Sequence, residues 1–274
     1  MKNLQFSVII PTLNEEKFVS KLLTSLREQS VKNFEVIVVD GHSKDRTVFE
    51  VKKFAARLPL TVVIGNTGVS CQRNLGATIA KAQWLVFVDA DSVLFPHFFD
   101  RIGAFIDATH TRFFTTWLKS DGDEPADAIA GFLLNMGIEG GVLIERPWAP
   151  GPLTIVRRDV FRLVGGYNET VTYGEDHELG VSIYRRGVPF DILREILYIH
   201  SFRRYRQEGT FKVMNRGLKS TLKIIFTHQG LKHMPGFIGG GSIYDKPSQK
   251  EKTKLFFERL EKRIDKFIKD FMKL

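Results

Sequence analysis

Four short apolar runs constrain this 274-residue chain more than any other feature: QFSVIIP (5–11), FEVIVVD (34–40), LTVVIG (60–65) and WLVFVD (84–89). All are rich in Val and Ile, and the stretches between them carry a helical period, as in Phe18, Leu22, Leu23 and Leu26. Strands alternating with helices build a parallel sheet covered by helices. Continuous apolar runs, rather than in–out alternation, fit strands buried on both faces. We therefore expect an α/β fold with a mainly parallel sheet flanked by helices. At 43% hydrophobic and 26% charged residues, the chain can bury a core of ordinary size.

In such sheets, ligands bind beyond the carboxyl ends of the strands. Three of the four runs end in polar signatures there: PTLNEE, DGHSKD and DAD. A lone Asp at a strand end is commonly a turn or helix cap, but several on one edge point to a ligand. Asp40 and Asp89 should emerge together near the loop of Pro11, Thr12 and Glu15. Asp89 and Asp91 flank only Ala90, and carboxylates that close repel unless a cation or donors compensate them. Hard oxygen donors favour Mg2+ or Mn2+, whose shells are often completed by substrate phosphates. A diphosphate bridged by a divalent cation is the expected ligand.

A second acidic cluster lies in YGEDHELG, with Glu175 and Asp176 at the start of a helix continuing towards Gly187. The helix dipole alone would favour acids there. His200 closes the run FDILREILYI; a histidine in that position is more often a packing residue than a ligand. Arg203, Arg204 and Arg206 follow, with forked donors suited to a diphosphate or an anionic acceptor.

Charge is divided unevenly along the chain. Residues 200–274 hold 18 Lys and Arg against 7 Asp and Glu, while residues 1–199 hold 22 against 24. A near-neutral body followed by a basic segment implies an anionic partner for that segment or a lysine-rich solvated surface. The single Cys71 excludes an internal disulfide framework and fits a reducing, cytoplasmic compartment. The stretch 127–144 is strongly apolar but interrupted by Asp127, Asn135 and Glu139, so we read no transmembrane helix; a buried helix, a dimer face and a lipid-facing surface stay open. In the tail, Phe256, Leu260, Ile264, Phe267 and Phe271 recur at helical spacing opposite Lys and Arg, which predicts an amphipathic helix. Phe211, Met214, Leu218, Leu222 and Ile225 repeat the pattern upstream, and the glycine-rich 235–248 stretch between them reads as a linker. An interfacial position on an anionic membrane and packing on the chain's own domain are the two roles open to the tail helix.

VIIPTLNEEKFVSKLLTSL, FEVIVVDGHSKDRT, QRNLGATIAKAQWLVFVDADS and GGYNETVTYGEDHELGVSIYRRG, in that order, resemble the motifs of family 2 glycosyltransferases with the GT-A nucleotide-diphospho-sugar transferase fold. The resemblance covers roughly residues 5–200. It implies a GT-A domain over 1–205, a basic helical extension over 206–274, and inverting, metal-dependent transfer of a sugar from a UDP or GDP donor to an acceptor that a lipid could carry. By the same resemblance, Pro11, Thr12, Glu15, Asp40, Arg73, Asp89 and Asp91 hold the nucleotide sugar. Asp91 and His200 bind Mn2+ or Mg2+, and Asp176 with Glu175 forms the catalytic pair, Asp176 being the base. Arg73 could instead form a salt bridge to Asp40 or another acid. Trp148, Gly151 and Pro152 would shape a loop over the donor sugar. The Gln-x-x-Arg-Trp block of processive members is missing, so transfer of one sugar is expected. Alternatives are a sugar nucleotidyltransferase, which should carry a glycine-rich, basic first loop, and a nucleotide-sugar-binding protein without transfer activity. A nucleic-acid partner is not expected, because the tail's aromatics segregate from its charges. A homodimer stays open.

Overall fold

The computed structural model describes residues 4–227, 230–232 and 240–241; the tail stripe of 256–271 and, apart from Gly240 and Gly241, the glycine-rich stretch lie outside the described residues. The chain runs through β1 (Phe6–Thr12), α1 (Val19–Arg27), β2 (Phe34–Asp40), α2 (Thr47–Lys52), β3 (Leu60–Ile64), α3 (Val69–Ile79) and β4 (Trp84–Val88). It continues through β5 (Ser92–Leu94), α4 (Phe98–Thr109), β6 (Phe113–Ser120), α5 (Pro125–Leu143), β7 (Leu153–Arg157), α6 (Arg158–Leu163), α7 (Glu175–Tyr184), β8 (Asp191–His200), α8 (Arg203–Glu208) and α9 (Thr210–Thr227).

These strands form one sheet in the order β3-β2-β1-β4-β7-β6-β8-β5. β1 to β4 pair in parallel, as do β6 and β8; β7 is antiparallel to both β4 and β6, and β5 to β8. The mainly parallel α/β sheet is therefore as expected. Alternate residues of the inner strands serve two cores. Val8, Ile10, Val36, Val38 and Val86 face α1 and α4, while Ile9, Ile37, Val39, Leu85 and Phe87 face α3, α6 and α7. Each such side chain stabilises the fold by about 1.5–3 kcal/mol. β3 departs from the expectation of double burial. It has a neighbour on one side only, and Ile64 is exposed, because an apolar run reads alike at the centre and at the edge of a sheet.

From β1 the chain proceeds outward to β2 and β3, then returns to set β4 on β1's other side. The switch point between β1 and β4 is where such sheets open a crevice. The β1–β4 ladder stops at Ile9 and Phe87, whereas β1–β2 continues to Thr12 and Asp40. Pro11, with no N–H to donate, stands beyond the end of the β1–β4 ladder.

α5 buries Ala126, Asp127, Ala130, Asn135 and Ile138 and turns Phe132, Leu133, Met136 and Leu143 outward. It is the one helix among the described residues long and apolar enough to cross a membrane. α9 also departs from its predicted stripe. Val213, Ser220 and Ile224 are buried, whereas Phe211 and Leu218 are exposed. The expected junction at 205/206 falls inside α8, whose Arg206 pairs with Asp121 and Asp127 of the body.

Candidate active site

At the crevice, the ends of β1 and β2 are tied together by Asp40. One carboxylate oxygen accepts from the Thr12 hydroxyl (3.0 Å) and the Ser43 hydroxyl (2.5 Å), and the other from the Ser43 N–H (2.8 Å). Asp40 thus folds the turn after β2, and His42 adopts φ 65° to complete it. Gln72 braces the same point from α3, donating to the carbonyls of Thr12 (2.8 Å) and Val39 (2.7 Å). The sequence reading missed Ser43 and Gln72, although the Asp-Gly-x-Ser turn chemistry of DGHS is a signal for the first.

Glu15 enters the site from the loop after β1, held by its N–H donating to the Thr47 hydroxyl (2.7 Å). Arg203 grips its carboxylate through two nitrogens at 2.7 and 2.8 Å, and packs its guanidinium on the Phe18 ring. Burial pushes Glu15 up to about 7, with Arg203 pulling the other way. The Arg203 Nε also lies 3.3 Å from Asp91.

The acidic end of β4 fans apart. Asp89 turns towards α3 and Asp91 towards β8, so the two carboxylates meet different partners instead of each other. Arg73, 1% exposed, donates to Asp89 (2.9 Å), Glu175 (3.0 Å) and the Gly151 carbonyl (2.7 Å), and stacks on the Tyr167 ring. One guanidinium therefore joins the strand-end carboxylate to the acidic start of α7. Its salt-bridge partners are Asp89 and Glu175 rather than Asp40. Burial raises Glu175 and Asp176 above the usual carboxylate range; Asp176 adds to the rise of Glu175, and Arg73 opposes both.

α7 is set closely against the 147–151 loop. A Cβ on Gly180 would lie 2.3 Å from the Pro147 carbonyl oxygen, so only glycine lets the helix approach. Trp148 stacks on His177 with ring centroids 4.4 Å apart, and the buried imidazole is pushed down to about 4. Trp148 thus shapes the loop by packing on α7. Beyond α9, Leu231 pairs with Tyr173 just before the acidic pair, and the Gly241 N–H donates to the Leu13 carbonyl (2.9 Å).

His200, at the end of β8, has Nδ1 3.5 Å from Asp91 and 3.2 Å from the Ser92 hydroxyl. No group of three or more His, Cys, Asp or Glu is gathered as a metal site among the described residues. Two donor atoms facing each other at 3.5 Å nevertheless fit a hard cation that takes few protein ligands and completes its shell with phosphate oxygens.

The family model of glycosyl transferase family 2 matches residues 7–162, more than half of the chain. A glycosyltransferase of Haemophilus influenzae described as uncharacterized is 41% identical over 92 residues, which is 33% of this chain and 30% of that protein. The poly(ribitol-phosphate) beta-N-acetylglucosaminyltransferase TarS of Staphylococcus aureus is 37% identical over 113 residues, covering 39% of this chain and 20% of TarS. The crystal structure of TarS 1–349 in complex with UDP-GlcNAc superposes with a TM-score of 0.60 at 25% identity, over 73% of this chain and 59% of that one. The chain thus matches well under two thirds of the length of these curated relatives.

Proposed function

The chain belongs to glycosyl transferase family 2, and from that premise we propose that it moves a single sugar from a nucleoside diphosphate sugar, UDP- or GDP-linked, to an acceptor, with inversion at the anomeric carbon. The observation that carries this reading is the Arg73 bridge, which brings Asp89 at the end of β4 and Glu175 at the start of α7 to one guanidinium. A donor-holding edge and an acidic pair are thereby held in one crevice, as transfer between two substrates requires. The likeness to TarS, whose structure holds UDP-GlcNAc, supports the donor class.

In this reading, Pro11, Thr12, Glu15 and Asp40 line the nucleotide side and Asp89 meets the ribose. Arg73 acts through Asp89 and Glu175 as a positioning residue. Asp91 and His200 would hold Mn2+ or Mg2+, which when bound offsets charge on the departing diphosphate. Asp176 takes the acceptor hydroxyl's proton as its oxygen bonds to the anomeric carbon and the bond to the diphosphate breaks on the opposite face. Glu175, anchored by Arg73, fixes the start of α7 beneath it. For an acceptor phosphate, already ionised, Asp176 serves to orient. A lipid-carried acceptor belongs to the same reading, because α5 runs into the loop that packs on α7.

The test is thermal stabilisation by UDP- and GDP-sugars with and without Mn2+, followed by product analysis. A metal-dependent shift with one donor is expected. Asp176→Asn should keep that shift and lose turnover by about 10²–10⁴-fold, while Asp91→Ala should lose the metal dependence. A folded protein that no nucleotide sugar stabilises would overturn the reading.

A further inference from the structure

We propose that α5 and α9 dock this protein on the surface of an anionic phospholipid bilayer, with α5 lying flat in the interface. Every exposed position from 128 to 144 is Ala, Gly, Phe, Leu, Met, Val or Ile. The outward residues Phe132, Leu133, Met136, Leu143 and Ile144 recur at spacings that place them along one side of the helix, with Leu143 at 85% exposure and Phe132 at 61%. Monomeric proteins seldom expose so continuous an apolar surface without a partner.

The opposite side of α5 excludes a spanning arrangement. Asn135, at mid-helix, is locked to β6, its carbonyl oxygen accepting from the Leu118 N–H (3.1 Å) and its amide donating to the Leu118 carbonyl (3.0 Å). Asp127 is paired with Arg206, and Glu139, at the margin between the two sides and next to Leu143 in helical position, is drawn back to the sheet by accepting from Trp117 and Arg194. A helix of 19 residues, about 28 Å long, is thus fastened to the sheet along one side and apolar along the other, with Glu139 at the margin neutralised by Arg194. That is the arrangement of an interfacial helix and not of a membrane span.

Charge selects the partner. α9 packs beside α5 and exposes Lys212, Lys219 and Lys223 together with Leu218. The sequence has no Asp or Glu between Glu208 and Asp245, while it has five Lys and Arg. Anionic headgroups beside an apolar layer satisfy both helices at once, each lysine near the surface adding to the attraction. A second copy would meet this face with the same lysines if the pairing were a symmetric dimer. The tail is itself rich in Lys and Arg, so it brings no charge to complement α9.

The experiment is co-flotation of the full chain with phosphatidylcholine vesicles, with and without phosphatidylglycerol, at low and high salt. Binding should require phosphatidylglycerol and weaken with salt. Phe132→Ser and Leu143→Ser should each lower it about tenfold. These positions are exposed, so unchanged melting temperatures are expected; Leu143→Glu is a second variant, setting a negative charge against the headgroups. Binding by these variants equal to that of the wild type would overturn the proposal. So would loss of binding on Phe267→Ser with Phe271→Ser but not on the α5 changes, which would make the tail the anchor. A wild type that ignores vesicles, yet forms a dimer that Phe132→Ser dissociates, would assign the face to a second copy. The assay needs no turnover, so its failure leaves the sugar-transfer reading standing, and the converse also holds.

Discussion

Arg73 is the residue on which the crevice depends most. Asp89 and Glu175 lie on elements far apart in sequence, and the guanidinium between them is their shared counter-charge in a buried place. Arg73→Met removes that charge while keeping much of the side-chain length. Leaving two half-buried carboxylates without their partner costs up to about 3 kcal/mol, the 29% exposure of Asp89 relieving part of the penalty of a fully buried charge, so the urea midpoint should fall, and turnover should fall further because α7's start is freed from β4's end. A variant as stable as the wild type would show that water reaches the pair and that the bridge is not structural. The acids at both ends of this bridge were legible from their motifs, and so was Arg73 as a residue of interest. Its partners were not, because 102 residues separate it from Glu175 and nothing local in CQRN or YGED fixes which acid meets which base. Asp40 shows the converse. Its strand-end position was legible, but its three hydrogen bonds to Thr12 and Ser43 are a matter of turn geometry.

At the scale of elements, α7 and the 147–151 loop form one packed unit through the His177–Trp148 stack. Burial holds the imidazole at about 4, against an ordinary value of 6.5. The sign is as follows: between pH 6.5 and 4 the unfolded chain binds a proton at His177 that the folded one does not, so this group removes stability as pH falls through that window. Glu175 and Asp176 act oppositely, since a raised carboxylate gains a proton in the folded state first and adds stability towards acid. His177→Phe keeps a ring against Trp148 and deletes only the first effect. Its unfolding free energy should therefore rise relative to the wild type as pH falls from 6.5 to 4, by on the order of 3 kcal/mol at the acid end. Parallel pH profiles would place water at the His177 ring. The first four strands were readable because buried parallel strands are apolar runs. β6 was not, because FFTTWLKS buries Thr115 and Thr116, whose hydroxyls break the apolar pattern, and β5 is only three residues long.

For the whole molecule, the question is whether the basic C-terminal helices unfold with the catalytic body or apart from it. The charge asymmetry marked them out as a separate segment, and that was as far as composition could go. The structure ties them in through Arg206, which makes a two-oxygen grip on Asp121 and a 2.9 Å bond to the nearly fully buried Asp127. Phe202, just before α8, is fully buried, and its N–H donates to Asp121. Burial raises Asp127 while Arg206 lowers it, so removing the arginine leaves a carboxyl group that must take up a proton or reach water. Arg206→Ala should therefore cost about 3 kcal/mol or somewhat less, protonation relieving part of the penalty. It should also separate two events that the Arg206 contacts are expected to couple in the wild type. Limited proteolysis would cut within 203–227 at temperatures where the body's near-ultraviolet signal is still native, and the melt would broaden. If Arg206→Ala leaves both the melt and the cleavage pattern unchanged, the C-terminal helices are held by the apolar contacts of Phe202, Val213 and Ile224, and the ionic clip is incidental.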